Sequence, residues 1–161
     1  MPTAIHESFS GQVSDNIKRQ LEEIAKGEGN VAKFAARVSS VRSGRIQLRE
    51  FDPEDPILKS DKPYIQRQPD EQFQHADAEY PGVVCEIAYS QNGEDLDKAA
   101  WSYIPYSNGD VKVVVGFELG YGKSKEAKLS LWRPRYTKGN QDNVEILDVE
   151  AVVNHVVSTS P

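Results

Sequence analysis

Two apolar-polar runs lie close together in mid-chain, residues 70–74 (DEQFQ) and 82–89 (GVVCEIAY), separated by a polar segment with Asp77, Glu79 and Pro81. Short alternating runs joined in this way read as neighbouring antiparallel strands of a hairpin. Folded about Ala78, the pair sets Phe73 opposite Val83 and Asp70 opposite Glu86. Directly opposed residues share a face, with Cβ atoms about 4.5–5.5 Å apart. Two ionised carboxylates that close repel unless one keeps its proton or a cation lies between them. Glu86 is constrained further, because Val83, Val84, Cys85 and Ile87 around it read as a strand buried on both faces. An acid in such a strand is paired or bound to something. The alternative leaves Asp70 at an exposed strand entry and gives Glu86 a Lys or Arg partner from elsewhere in the chain.

The remaining segments supply a frame for this hairpin. Val13, Ile17, Leu21 and Ile24 recur at helical spacing over 13–26, and Gly27 and Gly29 end that helix. Asn30 caps a second helix, striped by Val31, Phe34, Ala35, Val38 and Val41 and stopped by Gly44, so the N-terminal helices fill 13–42. Residues 45–51 (RIQLREF) alternate as a half-exposed strand, and the proline- and acid-rich stretch 51–63 reads as a surface loop. Leu96, Ala99, Ala100, Tyr103 and Ile104 form the buried stripe of a helix over 94–104, with Lys98 nearly opposite it. Residues 111–119 read as a central strand, and Ala127, Leu129 and Leu131 as alternate positions of another, with Pro134 confined to its edge or exit. The sheet core thus spans 45–135. The tail 143–157 carries Ile146, Val149, Val152, Val153 and Val156 at helical spacing, while its β-branched content leaves a strand open. At 161 residues the chain reads as one domain, 1–161, long enough to bury about 70% of its unfolded surface. The fold class is α+β, a central mixed sheet flanked by helices.

The segments also resemble a known family. Pro69-Asp70, a short hairpin and Glu86-Ile87-Ala88 look like the motif of the PD-(D/E)XK nuclease superfamily, which has the restriction-endonuclease-like fold. The run YPGVVCEIAYSQ (80–91), the helix after it, Ser107-Asn108-Gly109, the Val-rich strand and Trp132-Arg133-Pro134 look like a largely fungal branch of it. The resemblance covers residues 6–135. It implies hydrolysis of phosphodiester bonds in DNA or RNA by a site in which Asp70, Glu86 and the backbone carbonyl of Ile87 hold Mg²⁺ or Mn²⁺. It further implies nucleic acid as partner and leaves a homodimer open. An acidic residue of the first helix often joins such a site, and Glu23 is the candidate here, with a solvated surface role as its alternative. One position departs from the pattern. The family's Lys, two residues after the Glu and on the same strand face, is Ala88 here, which can neither orient nor deprotonate a water. Ser90 is next on that face. Gln91 can swing toward the site if the strand ends at Asn92-Gly93, and it is the replacement ranked above Lys98 as a catalytic residue.

Charge supports this reading modestly. Residues 17–49 hold eight Lys or Arg against three Glu and 111–138 hold seven against two acids, whereas 50–110 hold fourteen acids against four bases. An acidic centre between basic segments suits a metal site with phosphate-binding arms, although the net charge of -6 argues against a protein that coats nucleic acid by bulk electrostatics. Single Cys85 reads as an inert core thiol, and His75 as a loop surface residue with general base as the functional alternative. Trp132 reads as a core cap at a strand end, with base stacking as its alternative. No apolar run is long enough to cross a membrane and the N-terminus lacks a signal-peptide pattern, so the expected setting is intracellular, nucleus and cytoplasm being indistinguishable. Against the nuclease stand two other classes: a catalytically inactive nuclease-fold module that binds nucleic acid or protein, and a protein-interaction domain with an acidic centre.

Overall fold

The computed structural model of the protein describes residues 4–49, 65–88, 94–120, 126–138 and 145–159. The first helix, α1 (Ala4–Ala25), begins a further two turns before the expected start at 13. Phe9 extends the Val13-Ile17-Leu21 stripe by one turn, and its ring meets Phe117 edge-on at 5.2 Å between centroids. Ile24, expected in the stripe, is exposed instead.

The second helix is shorter than its periodicity suggests. Helix α2 (Asn30–Ala35) buries Ala32 and Ala35 while Val31 and Phe34 stay exposed, and the chain then enters β1 (Val38–Ser40). The expected helix over 30–42 is therefore corrected from Val38 onward. An open strand edge wins there, because β1 satisfies backbone groups along one side of β4 (Glu71–His75) through Val38↔His75, Ser39↔Gln74 and Ser40↔Phe73.

Between these strands, β2 (Ile46–Leu48) and β3 (Ile65–Arg67) pair, among the described residues, only with each other, as a separate two-stranded sheet. Ile46 and Leu48 point into the core as their alternation requires, so the wing is pinned by its own apolar side. The main sheet continues through β5 (Val83–Ala88), α3 (Glu94–Tyr106), β6 (Val113–Leu119), β7 (Glu126–Lys138) and β8 (Glu145–Thr159). Its order is β1-β4-β5-β6-β7-β8. Every neighbouring pair is antiparallel except β5 and β6, which α3 connects as a parallel crossover requires.

Leu96, Ala100, Tyr103 and Ile104 of α3 are buried against Val84, Val114 and Trp132 on one sheet face, while Phe117 turns to α1 on the other. Alternation along the strands puts Glu86 and Ala88 on the α3 face with Val84. Trp132 caps the core there, 4% exposed, and its indole N–H donates to Asp97 Oδ1 at 3.0 Å. The C-terminal tail is a strand throughout its described length. Its β-branched residues suit the open edge of β7, where Pro134 pairs with Val149 beyond the point at which β6 pairing ends. No helix among the described residues is long and apolar enough to cross a membrane.

The β6–α3 contact depends on Gly116, where an added Cβ would meet Trp132 Cζ3 at 2.8 Å and Leu96 Cδ1 at 3.1 Å. Both neighbours are buried and cannot give way freely. Gly116→Ala is expected to lower stability by about 1–3 kcal/mol, seen as a lower urea midpoint with an unchanged slope.

Candidate functional site

The hairpin folds in the expected register: Glu71↔Cys85, Gln72↔Val84 and Phe73↔Val83. Continued by one residue, this sets Asp70 opposite Glu86 at the point where β4 begins. Asp70 closes the pairing with its side chain, as Oδ2 accepts the Ile87 N–H at 2.6 Å. The neighbouring strand residue in that direction is Pro69, buried and without an N–H, so the ladder offers no donor to the Ile87 carbonyl, which points to the same edge as its N–H.

Each carboxylate is held by a helix. His6 of α1 places Nε2 3.1 Å from Asp70 Oδ1, and the Ser10 hydroxyl donates to the Asp70 carbonyl at 3.5 Å. On the α3 side, the Tyr103 hydroxyl donates to Glu86 Oε1 at 2.5 Å. Burial pushes Glu86 up to about 7, further raised by the charge of Asp70 and opposed by the Tyr103 hydrogen bond and the charge of Arg67 on β3. Tyr103 is in turn held above its ordinary range by burial and by Glu86. Burial, with the charges of Glu71 and Glu86 added, drives Cys85 to about 12, so the thiol is inert as its setting suggested.

Other expected residues fall elsewhere. Ser90 and Gln91 lie outside the described residues. Lys98 is exposed and pairs with Asp95 at 3.8 Å, on the solvent side of α3. Glu23 is exposed, paired with Lys26 at 2.5 Å near the end of α1 opposite to His6, so α1 brings a histidine to the carboxylates rather than this acid. His75 stacks on Phe34 at 4.7 Å and accepts the Asp77 N–H at 3.2 Å, away from Asp70. Ala88 keeps its place on the face of Glu86, and its parallel neighbour is Glu118, itself opposite Lys128. Glu118 is buried, with Lys128 Nζ 3.5 Å from Oε1 and no hydrogen-bond partner for Oε2 among the described residues.

His6, Arg67 and Tyr103 are site residues that the sequence pattern did not single out. Tyr103 carried a signal, since a tyrosine in an apolar stripe needs a partner for its hydroxyl. His6 carried none, lying before any recognisable stripe. No three His, Cys, Asp or Glu side chains among the described residues cluster in a way that would hold a metal. Two carboxylates are nevertheless enough protein ligands for Mg²⁺, which keeps several waters and takes the rest of its shell from phosphate oxygens. A pair of hard oxygen donors with excess negative charge suits that ion, so the donor set fits. Comparison with known protein families, with curated proteins and with solved structures gives no match.

Glu86 titrates near 4.5 when unfolded and about 7 when folded, so between those values the native state binds the extra proton. Stability is then greatest below the lower value and falls as pH rises through the upper one. Glu86→Gln is expected to flatten this fall by on the order of 2–3 kcal/mol in metal-free urea denaturation. Tyr103→Phe should move the fall to higher pH, since it removes a bond that favours the charged carboxylate.

Proposed function

We propose that the chain is a metal-dependent phosphodiesterase acting on DNA or RNA, with the restriction-endonuclease-like core of the PD-(D/E)XK superfamily. The observation that carries this reading is the meeting of Asp70 and Glu86 across the start of the β4–β5 pair, with the Ile87 backbone at their side. Topology supports it: α1, β1, β4, β5, the crossover α3 and parallel β6 follow the helix, three-strand meander, helix and strand order expected of that core.

In this reading Asp70, Glu86 and the Ile87 carbonyl hold Mg²⁺ or Mn²⁺. When bound, the ion supplies Lewis acidity that makes water a nucleophile at neutral pH and offsets charge on the phosphate. The chain's own groups prepare the site beforehand. Ile87 N–H and His6 fix both oxygens of Asp70, and Tyr103 fixes one oxygen of Glu86. Arg67 adds positive charge beside Glu86, where a phosphate would approach. Gln91 remains the proposed positioner of the attacking water.

Ala88 favours a second reading, a nuclease-fold module that binds nucleic acid or protein without turnover, because no cation follows Glu86 on its strand face. Cleavage of plasmid and single-stranded substrates with and without Mg²⁺ separates the two. The nuclease reading expects Mg²⁺-dependent products that fall by at least about 10²-fold in Asp70→Asn and in Glu86→Gln. Equal residual activity in all three proteins would reject it, and calorimetric Mn²⁺ binding that persists in both variants would reject the metal site itself.

A further inference from the structure

The wing formed by β2 and β3 does more than cover the core. Its buried side is Ile46 and Leu48, so alternation turns Arg45, Gln47 and Arg49 the other way. These three, with Gln72 and Gln74 of β4 and with Tyr80, line a cavity of about 300 Å³. Gln72 and Gln74 share a strand face with Asp70, about 7 and 14 Å along the strand from it. A polymer seated with one phosphate at Asp70 and Glu86 and running along β4 would pass its neighbouring units over this cavity. Arg67, on the same wing and paired with Ile46, is close enough to act on Glu86 by its charge.

The walls are held by the glutamines. Gln72 is buried and its Nε2 donates to the Gly44 carbonyl at 2.7 Å, while Gln74 Nε2 donates to the Ala78 carbonyl at 2.7 Å and the Glu79 carbonyl at 3.2 Å. The loop leading into β2 and the turn after β4 are thereby fixed on opposite sides. Among the described residues of the lining, Glu79 is the one carboxylate, beside the Arg45 and Arg49 guanidinium groups.

We propose that this cavity is a nucleotide subsite that selects unpaired strands, an inference that rests on the phosphodiesterase reading for its neighbouring site. Its chemistry fits one nucleotide: guanidinium groups pair with phosphate, the exposed Gln47 amide has a donor and an acceptor for a base edge, and the half-buried Tyr80 adds an aromatic wall. Its volume sits at the lower end of small-molecule pockets. A base in a duplex has its edge paired and its faces stacked, and reaches such a cavity only by being extruded. Single-stranded nucleic acid, or a frayed end, enters without that cost.

Fluorescence anisotropy with a short labelled strand, in DNA and RNA form, against a blunt duplex of the same sequence tests this in metal-free buffer across a range of salt. The single strand is expected to bind at least about tenfold tighter than the duplex. Arg45→Ala/Arg49→Ala is expected to remove that preference and to reduce the salt slope by about 1.4, the loss of two single-strand phosphate contacts. Arg133→Ala, in an exposed ion pair on β7, should change neither. Equal binding of strand and duplex, or a double variant that circular dichroism shows folded and that binds like wild type, overturns the subsite. Gln47→Glu, which places a negative charge in the lining without touching the core, must also weaken single-strand binding; unchanged affinity there overturns it too. The hydrolytic reading fails separately, by loss of Mg²⁺-dependent cleavage with strand preference intact.

Discussion

The hydrogen bond from the Ile87 N–H to Asp70 Oδ2 is the constraint on which the site depends. At that point β4 has just begun and Pro69 cannot continue the ladder, so a side chain takes over the backbone's role. The carboxylate is thereby fixed at the end of β4, opposite Glu86. Two acids end up neighbours because the strand pairing that buries Phe73 and Val84 leaves them no other place. The cost appears at Glu86, whose burial and proximity to Asp70 shift it toward neutral pH. A strained charge balance at the mouth of a strand pair is what a site for a cation, a proton or a phosphate requires.

Secondary elements act as a clamp around that point. Helix α1 approaches with His6 and helix α3 with Tyr103, each giving one polar contact from an otherwise packing surface. Gly116 lets Trp132 and Leu96 close beneath α3, and that close approach sets how near Tyr103 comes to the sheet. The wing adds Arg67 from a third direction. Ile46 and Leu48 of β2 face the core, with Ile65 of β3 packed beside them, so the flanking Arg45 and Arg49 face away from it.

What was legible in the sequence was local pattern with a short loop. The register about Ala78 follows from alternation and a polar turn, and the α3 stripe from helical spacing, and both match the structure residue by residue. Where one pattern served two elements, the sequence was ambiguous. Val38 continues the α2 stripe equally well as a strand residue, and only the open edge of β4 decides. The tail's valines fit a helical wheel, yet their branching and the free edge of β7 draw them into the sheet. Of the candidate site, the two carboxylates were readable because they lie on one hairpin, while Ile87 entered only through the family resemblance. His6, Arg67 and Tyr103 were not, since nothing local marks a residue whose role comes from a helix or wing folding back from elsewhere. The place of Glu118 and Lys128 beside Ala88 likewise depends on a parallel pairing that spacing does not announce.

The central claim is that Asp70 and Glu86 share one electrostatic site that a divalent cation can neutralise. Carbon-13 NMR titration of the Glu86 side-chain carboxyl, without and with saturating Mg²⁺, tests it most directly. The account predicts a midpoint near 7 in the free protein, falling by more than about one unit when the ion is present. A midpoint in the ordinary glutamate range, unmoved by Mg²⁺, would contradict it.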